Sequence, residues 1–193
     1  LKINCLFAWG EFASKYAAEF YSDIYQDIRI TGQPRFDCLV ESLECSAVHV
    51  ESKIFKILYL PNANLRNSYE FSLNEGLINY KSILEAINLL SRDLSVDLTI
   101  KLHPSESYDY ILDTFSFPEN VSIVSSSNLH RLIRSSDVCI THSSTAGLES
   151  LAMGVPLCVL NLHGRVPFFD FNQINNVSVT NSTEELFAKL KAL

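Results

Sequence analysis

Several features that would quickly assign a function are missing from this sequence. Only six of its 193 residues are glycine, and none forms a GxGxxG or GxxxxGK[ST] pattern. A dinucleotide-fold dehydrogenase and a P-loop NTPase therefore lack support. There is no GxSxG nucleophile elbow, and no His, Asp or Glu spacing indicates a metal site. The function must be sought in less familiar patterns.

Cysteine is scarce and scattered. The five cysteines are Cys5, Cys38, Cys45, Cys139 and Cys158. An odd number without CxxC spacing indicates reduced thiols in a cytoplasmic protein, not a disulfide framework or a structural zinc site. Cys139 and Cys158 fall in predicted buried strands, where a free thiol acts as a small apolar side chain.

Charge and long apolar runs are also limited. Charged residues make up 19% of the chain and the net charge is -7, which argues against a nucleic-acid partner. The richest apolar stretch, 151–162, is interrupted by Gly154 and Pro156 before it reaches membrane-spanning length. The first residues show neither a signal-peptide cleavage site nor an initiator Met, so we expect a fragment. The 47% hydrophobic content is sufficient for a buried core.

Strand and helix patterns alternate regularly from Phe55 onward. The predicted strands are 55–60, 97–102, 121–124, 137–141, 156–161 and 176–180. Helical patterns fall between them, the longest at about 74–92, and a last helix capped by Ser182 or Thr183 follows. This alternation predicts an α/β, Rossmann-like parallel sheet with helices on both faces over 55–193. Residues 1–54, with short strands around an aromatic helix, are expected to be the tail of an N-terminal domain and a linker.

The most informative segment is DVCITHSSTAGLESLAMGVPLCVLN, residues 137–161. It predicts a buried strand, a turn rich in Ser, Thr and Gly, a helix ended by Gly154 and Pro156, and a second strand. A helix start carries unpaired N–H groups and partial positive charge, and therefore binds anions. Ser143, Ser144 and Thr145 add hydroxyls, and Gly147 belongs to the same turn. Ordinary N-capping explains the same residues and leaves other donors available.

Ligands of such sheets bind beyond the carboxyl ends of the strands, which selects the loops 61–70, 103–107, 142–147 and 161–172. His103 directly follows a predicted strand, and Pro104 fixes the turn, so the imidazole can donate to a phosphate. Lys101 alternates with it along the strand. The alternative is a turn histidine that stabilises its own loop.

Other polar residues of these loops are weaker candidates. Glu149 either complements the helix dipole or accepts both hydroxyls of a ribose. Asn62 and Asn64, with Arg66 nearby, contact ligand or only shape a turn. Arg165 and Asp170 either touch a sugar or are solvated, and His142 carries less weight. Arg131 and Arg134 are expected on a solvated helix face.

Three ordered segments resemble the C-terminal, nucleotide-sugar-binding half of a GT-B fold glycosyltransferase. They are RITGQPRFD (29–37), KLHPSES (101–107) and SDVCITHSSTAGLESLAMGVPLCVLN (136–161). The likeness is to bacterial capsule and surface-polysaccharide enzymes that share a His-Pro motif, namely Kdo transferases, polysialyltransferases and glycerophosphate polymerases. It covers most of residues 1–180 and does not specify the sugar.

The resemblance implies a function and roles for particular residues. His103 and Ser143 to Thr145 would bind the donor phosphate and Glu149 the ribose, with His103 stabilising charge on the leaving nucleotide without a metal or other cofactor. The partners would be a nucleotide-sugar, with CMP favoured, and a saccharide or glycolipid acceptor. The family's general base usually lies in the N-terminal domain, so this fragment is expected to bind donor without transferring sugar. The family implies a cytoplasmic protein, peripheral at the inner face of the cell membrane.

Three other classes remain open at this stage. A sugar-nucleotide epimerase of GT-B-like fold would need an acid/base set from two domains, and no matching carboxylate pair is evident. A non-catalytic nucleotide-binding or scaffold domain would have the same sheet, but its pocket would have no catalytic role. A response-regulator-like domain would need an acidic cluster at the first strand end, where Pro61 and Asn62 offer none.

Overall fold

The computed structural model describes residues 3–37, 39, 54–62, 70–104, 106–142, 144–164, 171 and 174–193. The chain divides into two compact units, Leu1–Cys45 and Ser46–Leu193. They are described separately below. The functional division expected at residue 54 stays a prediction.

The first unit contains a short parallel strand pair joined through a helix. Strand β1 (Leu6–Ala8) leads into helix α1 (Glu11–Phe20), and β2 (Ile28–Ile30) returns parallel to β1. Ala8 and Ala17 are buried. Their small side chains allow the helix to lie close to the strands. A 3-10 turn (Pro34–Phe36) lies within the segment RITGQPRFD, residues 29–37. The strand, helix and parallel strand together form a small βαβ motif.

The second unit alternates strands and helices, as the sequence predicts. Its elements are β3 (Phe55–Leu60), α2 (Glu70–Leu90), β4 (Val96–Lys101), α3 (Tyr108–Thr114), β5 (Val121–Val124), α4 (Leu129–Arg134), β6 (Val138–Thr141), α5 (Thr145–Ala152), β7 (Leu157–Leu160), β8 (Val177–Thr180) and α6 (Thr183–Lys191). The long helix expected at about 74–92 begins earlier, at Glu70, and ends at Leu90, the last buried apolar residue of its pattern. There the Ser91 hydroxyl donates to the Ile87 carbonyl and closes the last turn.

Within the described residues, the strands of the second unit form a six-stranded sheet in the order β5-β4-β3-β6-β7-β8, and every neighbouring pair is parallel. The chain adds β4 and β5 on one side of β3, then crosses to add β6, β7 and β8 on the other side. The direction of winding therefore reverses between β3 and β6, which is the topological switch point of a doubly wound sheet.

Helices cover both faces of this sheet, which confirms the predicted fold class. On one face, α2 and α6 pack together over a core that includes Ile57, Ile100 and Ile140. On the other face, α5 approaches β6 and β7 closely at Gly147. Burial on both sides explains why β3, β6 and β7 are continuous apolar runs and not alternating ones.

Polar side chains define where the helices begin. Ser107, Asn128, Ser144 and Ser182 each accept a hydrogen bond from a backbone N–H in the first turn of α3, α4, α5 and α6. The Ser182 cap predicted from the sequence is confirmed. Among the described residues, the helices are all too short or too polar to cross a membrane.

Candidate functional site

Three of the polar residues singled out in the sequence follow strands that end at the same edge of the sheet. Strands β4, β3, β6 and β7 are adjacent in the sheet order, so the segments that follow them meet at their carboxyl ends. His103 follows β4, Asn62 follows β3, and His142 follows β6. The switch point lies between the last two, where a parallel sheet leaves a crevice for a ligand.

The turn after β6 leads into the eight-residue helix α5. The Ser144 hydroxyl oxygen accepts the Ala146 N–H at 3.2 Å, which is the capping role that the sequence allows. The Ser144 O–H is still able to donate, and Thr145 is exposed beside it. Ser143 lies outside the described residues. The described part of this turn therefore combines a cap with the donors and dipole that suit an anion.

Gly147 has a packing role that its sequence context did not reveal. A Cβ atom at this position would lie 2.9 Å from Thr141 Cγ2 and 3.1 Å from Leu157 Cδ2. The glycine thus lets α5 lie close to β6 and β7, which fixes the helix start above the strand ends. Direct contact between Gly147 and a nucleotide stays a prediction.

Replacing Gly147 by valine is expected to lower the free energy of unfolding by about 3 kcal/mol, because overpacking a tight contact forces the helix away from the sheet. Urea denaturation would measure the change. Ala188→Val places the same side chain at an exposed position of α6 and is expected to cost only about 0.5 kcal/mol, the difference in helix propensity. Equal losses for the two variants would contradict the packing role.

The turn after β4 is stabilised by a carboxylate that the sequence analysis did not single out. His103 and Pro104 are exposed, and the His103 N–H donates to Glu106 Oε2 at 2.8 Å. The Glu106 N–H in turn donates to the His103 carbonyl at 2.9 Å. Lys101 is directed elsewhere, since its amine donates to the Leu102 and Ser125 carbonyls at 2.9 and 3.0 Å.

Glu106 is half-buried, and its environment favours the protonated form. Burial raises the pKa of its carboxyl to about 7, against the opposing effect of the His103 N–H, the Tyr80 hydroxyl and the Lys101 charge. The sequence feature that could have identified Glu106 is its position three residues after His103. At this spacing a carboxylate can accept a hydrogen bond from the earlier backbone N–H. A carboxyl group that titrates near neutrality marks this turn as a functional candidate.

His142 is more constrained than its low weight in the sequence analysis suggests. Its Nδ1 lies 3.0 Å from the Leu160 carbonyl, and its Nε2 lies 2.8 Å from the Tyr59 hydroxyl. Since a carbonyl only accepts, Nδ1 carries the proton and Nε2 accepts from Tyr59. Burial lowers the pKa of His142 to about 4, so the ring is neutral at physiological pH. It joins the ends of β3, β6 and β7.

Glu149 is buried on α5 and has a histidine partner. Its Oε2 lies 2.8 Å from His130 Nε2 at the start of α4. Glu149 is only 3% exposed, whereas the His130 side chain is 39% exposed. His130 was missed in the sequence analysis, because the pair is formed between separate helices. The contact of Glu149 with a ribose stays a prediction.

Several remaining candidates lie outside the described residues, including Asn64, Arg66, Arg165 and Asp170. Cys38 and Cys45 do so as well. Cys139 and Cys158 are buried strand residues, as expected, and burial raises the pKa of their thiols to about 12 and 11. Arg131 and Arg134 are exposed on α4, also as expected.

No group of three or more His, Cys, Asp or Glu side chains within the described ranges has the arrangement of a metal site. The absence of a metal requirement stays a prediction, because it concerns the reaction.

Sequence comparison gives no family. No protein-family model matches the chain, and no curated protein sequence matches it.

Structural comparison gives the fold. UDP-GlcNAc 2-epimerase from Methanocaldococcus jannaschii, in complex with UDP-GlcNAc and UDP, aligns with 98% of this chain and 54% of its own, with a TM-score of 0.69 and 13% identity. The UDP-N-acetylglucosamine 2-epimerase proposed for Listeria monocytogenes aligns with 95% of this chain and 43% of its own, with a TM-score of 0.52 and 14% identity. KpsC, a beta Kdo 2,4 transferase of Thermosulfurimonas dismutans, aligns with 82% of this chain and 56% of its own, with a TM-score of 0.46 and 15% identity, too low for an argument.

The second unit therefore has the Rossmann-like fold of one half of a GT-B protein. The chain spans about half the length of the structures that it resembles. At these identities the likeness establishes fold and not activity.

Proposed function

We propose that the second unit binds the nucleotide part of a nucleotide-sugar, and that it is the donor-binding half of a glycosyltransferase. The observation that carries this proposal is that two polar turns follow β6 and β4, the two strands that flank β3, at the same edge of the sheet. The α5 start supplies anion-binding donors, and the His103 turn lies at the end of a strand of the same central set. Such a pair of turns suits the diphosphate or monophosphate of an activated sugar.

The proposed roles follow from the chemistry of each group. Phosphate oxygens accept from the hydroxyls of Ser143, Ser144 and Thr145 and from N–H groups at the α5 start. The exposed His103 imidazole donates to the same phosphate, stabilising the negative charge that develops as the nucleotide leaves, so that no metal ion is required. Asn62 and Pro104 contact the ligand from the same edge of the sheet, and Gly147 does so from the first turn of α5. Glu149 accepts the ribose hydroxyls, which requires His130 to share its carboxylate or to swing away.

The remainder of the proposal concerns the whole protein. The general base belongs to the other half of a GT-B enzyme, so this chain alone binds donor without transferring sugar. The acceptor is a saccharide or glycolipid of a surface polysaccharide or capsule, and the resemblance of the three sequence segments favours a CMP-linked donor. These substrates place the enzyme in the cytoplasm, at the inner face of the membrane.

A sugar-nucleotide epimerase is the second candidate. The observation that keeps it open is that the same fold occurs in an epimerase crystallised with UDP-GlcNAc and UDP. The two candidates are distinguished by the nucleotide that the chain binds. Binding of a uridine nucleotide favours the epimerase, and binding of a cytidine nucleotide favours the transferase proposed here.

Calorimetric titration with CMP, CDP, UDP and GDP tests the proposal. We expect one base class to bind, and His103→Ala and Glu149→Ala each to weaken binding at least tenfold, because each removes a charge-assisted hydrogen bond. Glu119→Ala removes an exposed carboxylate just before β5, at the opposite edge of the sheet; it is the control and should bind as the wild type does.

Two outcomes would count against it. Equal binding by wild type, His103→Ala and Glu149→Ala would remove both residues from the site. Absence of binding at millimolar nucleotide, repeated with a longer chain that includes the other half, would reject a nucleotide-binding function.

A further inference from the structure

A continuous series of side chains joins the two turns of the candidate site. His142 accepts from the Tyr59 hydroxyl at 2.8 Å, and the Tyr59 ring meets the Tyr80 ring edge to face with centroids 5.3 Å apart. The Tyr80 hydroxyl donates to Glu106 Oε1 at 3.4 Å. Glu106 Oε2 then accepts from the His103 N–H. The series thus runs from the turn after β6 to the turn after β4.

The two tyrosines form a rigid centre for this series. Both are buried, at 1% exposure, and burial raises the pKa of each hydroxyl well above its usual range. Both hydroxyls are therefore neutral donors at physiological pH. Glu106 is therefore the member of the series whose charge changes near neutral pH.

We propose that Glu106 is a positioning residue: its side chain fixes the His103–Pro104 turn through the His103 N–H, and its ionisation weakens anion binding at that turn. The carboxylate already occupies a backbone donor of the loop that would face a phosphate. A second anion placed there meets the negative charge of Glu106. Protonation removes that charge and retains an oxygen that can accept from the His103 N–H.

The groups around Glu106 decide how strongly its charge is felt. Tyr80 of α2 and Tyr59 of β3 are neutral, and the Lys101 amine at the end of β4 is the cation that acts on it. Lys101 is held by two backbone carbonyls and does not form a salt bridge with Glu106 within the described contacts. The His103 imidazole belongs to the same turn. The charge of the carboxylate is thus only partly neutralised. We therefore expect ionised Glu106 to repel a phosphate bound nearby.

The positioning role can be tested without any ligand. In a pH titration followed by NMR, the His103 amide signal should shift with a midpoint near pH 7, because its hydrogen-bond acceptor gains a charge there. Glu106→Gln, which keeps an acceptor oxygen, should abolish the step and keep the turn folded. Glu106→Ala should abolish the step and also increase hydrogen exchange at the His103 amide.

Glu185→Gln is the matched control. Glu185 also accepts a backbone N–H, from Asn181 at 2.7 Å, but it lies at the start of α6. This substitution should leave the His103 amide titration unchanged. A His103 amide that shows no step near pH 7 in the wild type, or an unchanged step in Glu106→Gln, would overturn the inference.

The effect on binding rests on the proposed function and is measured separately. For the nucleotide bound most tightly among CMP, CDP, UDP and GDP, wild-type affinity should fall roughly tenfold more than that of Glu106→Gln between pH 6 and pH 8. Subtracting the Glu106→Gln profile removes the pH dependence that the two proteins share, including the titration of the phosphate. Parallel profiles, or a wild-type affinity that rises relative to Glu106→Gln, would refute the coupling. If no nucleotide binds, the proposed function fails, and the amide titration still decides the positioning role.

Discussion

Replacing His142 by alanine is expected to lower the free energy of unfolding by about 3 kcal/mol, a large share of the stability of an ordinary domain. The imidazole bonds to two partners on different strands, the Leu160 carbonyl of β7 and the Tyr59 hydroxyl of β3. Alanine leaves both without a partner and opens a space next to the Tyr59 ring. A buried polar group that loses its partner costs more than the hydrogen bond contributed.

A double-mutant cycle separates these contributions. Tyr59→Phe removes the hydroxyl that alanine would leave unpaired, so His142→Ala should cost about 1 kcal/mol less in the Tyr59→Phe background than in the wild type. Urea denaturation of the four proteins gives the coupling energy. Glu119→Ala, at an exposed position before β5, is the control and should change stability by no more than about 0.5 kcal/mol. Additive losses at His142 and Tyr59 would show that the hydrogen bond between them contributes nothing.

Glu106 and His142 should give the second unit two opposing dependences of stability on pH. The pKa of Glu106 is raised in the folded chain from 4.5 to about 7. Its contribution to stability is therefore fully present below pH 4.5 and is lost as the pH rises through 7. The loss amounts to about 3 kcal/mol, since each pKa unit corresponds to roughly 1.4 kcal/mol.

His142 has the opposite sign. Its pKa is lowered in the folded chain from 6.5 to about 4. Its contribution is present above pH 6.5 and is lost as the pH falls through 4, again by about 3 kcal/mol. Between pH 4.5 and 6.5 the two contributions offset each other, so the wild type should be flatter in this window than either single variant.

Urea denaturation from pH 4 to 8 at constant ionic strength measures both contributions. Relative to the wild type, Glu106→Gln should gain stability as the pH rises from 4.5 to 7. His142→Asn keeps a donor for the Leu160 carbonyl, and relative to the wild type it should lose stability as the pH rises from 4 to 6.5. Glu185→Gln is the control and should run parallel to the wild type. A Glu106→Gln curve parallel to the wild type would show that this carboxyl has no raised pKa.

Much of the fold could be predicted because its strands are buried on both faces. Phe55–Leu60 and Val121–Val124 were predicted to the residue, since continuous apolar runs between polar turns are typical of a parallel sheet. Helix starts were predicted well where a hydroxyl residue caps them, as at Ser182. The start of α2 was placed too late because Glu70 and its neighbours resemble the preceding Asn-rich loop.

The candidate site was predicted in part. His103 and Ser144 were selected because they follow strands in short turns, and the sheet order does place those turns among adjacent strand ends. Glu106, Tyr59 and Tyr80 were missed. Each is an ordinary turn or core residue in its local sequence, and nothing within a few positions signals its partner.

The sequence alone determined the periodicities, the caps and the short turns, because these depend on residues close together in the chain. It thereby determined the α/β class and the loops that carry polar side chains. Only the tertiary structure decided which strand ends are neighbours, that His142 bonds to β3 and β7, and that Glu149 meets His130. These contacts join residues separated by 18 to 83 positions in the chain. Which side chains are removed from water depends on how the sheet and the helices pack, and that desolvation in turn decides which pKa values change.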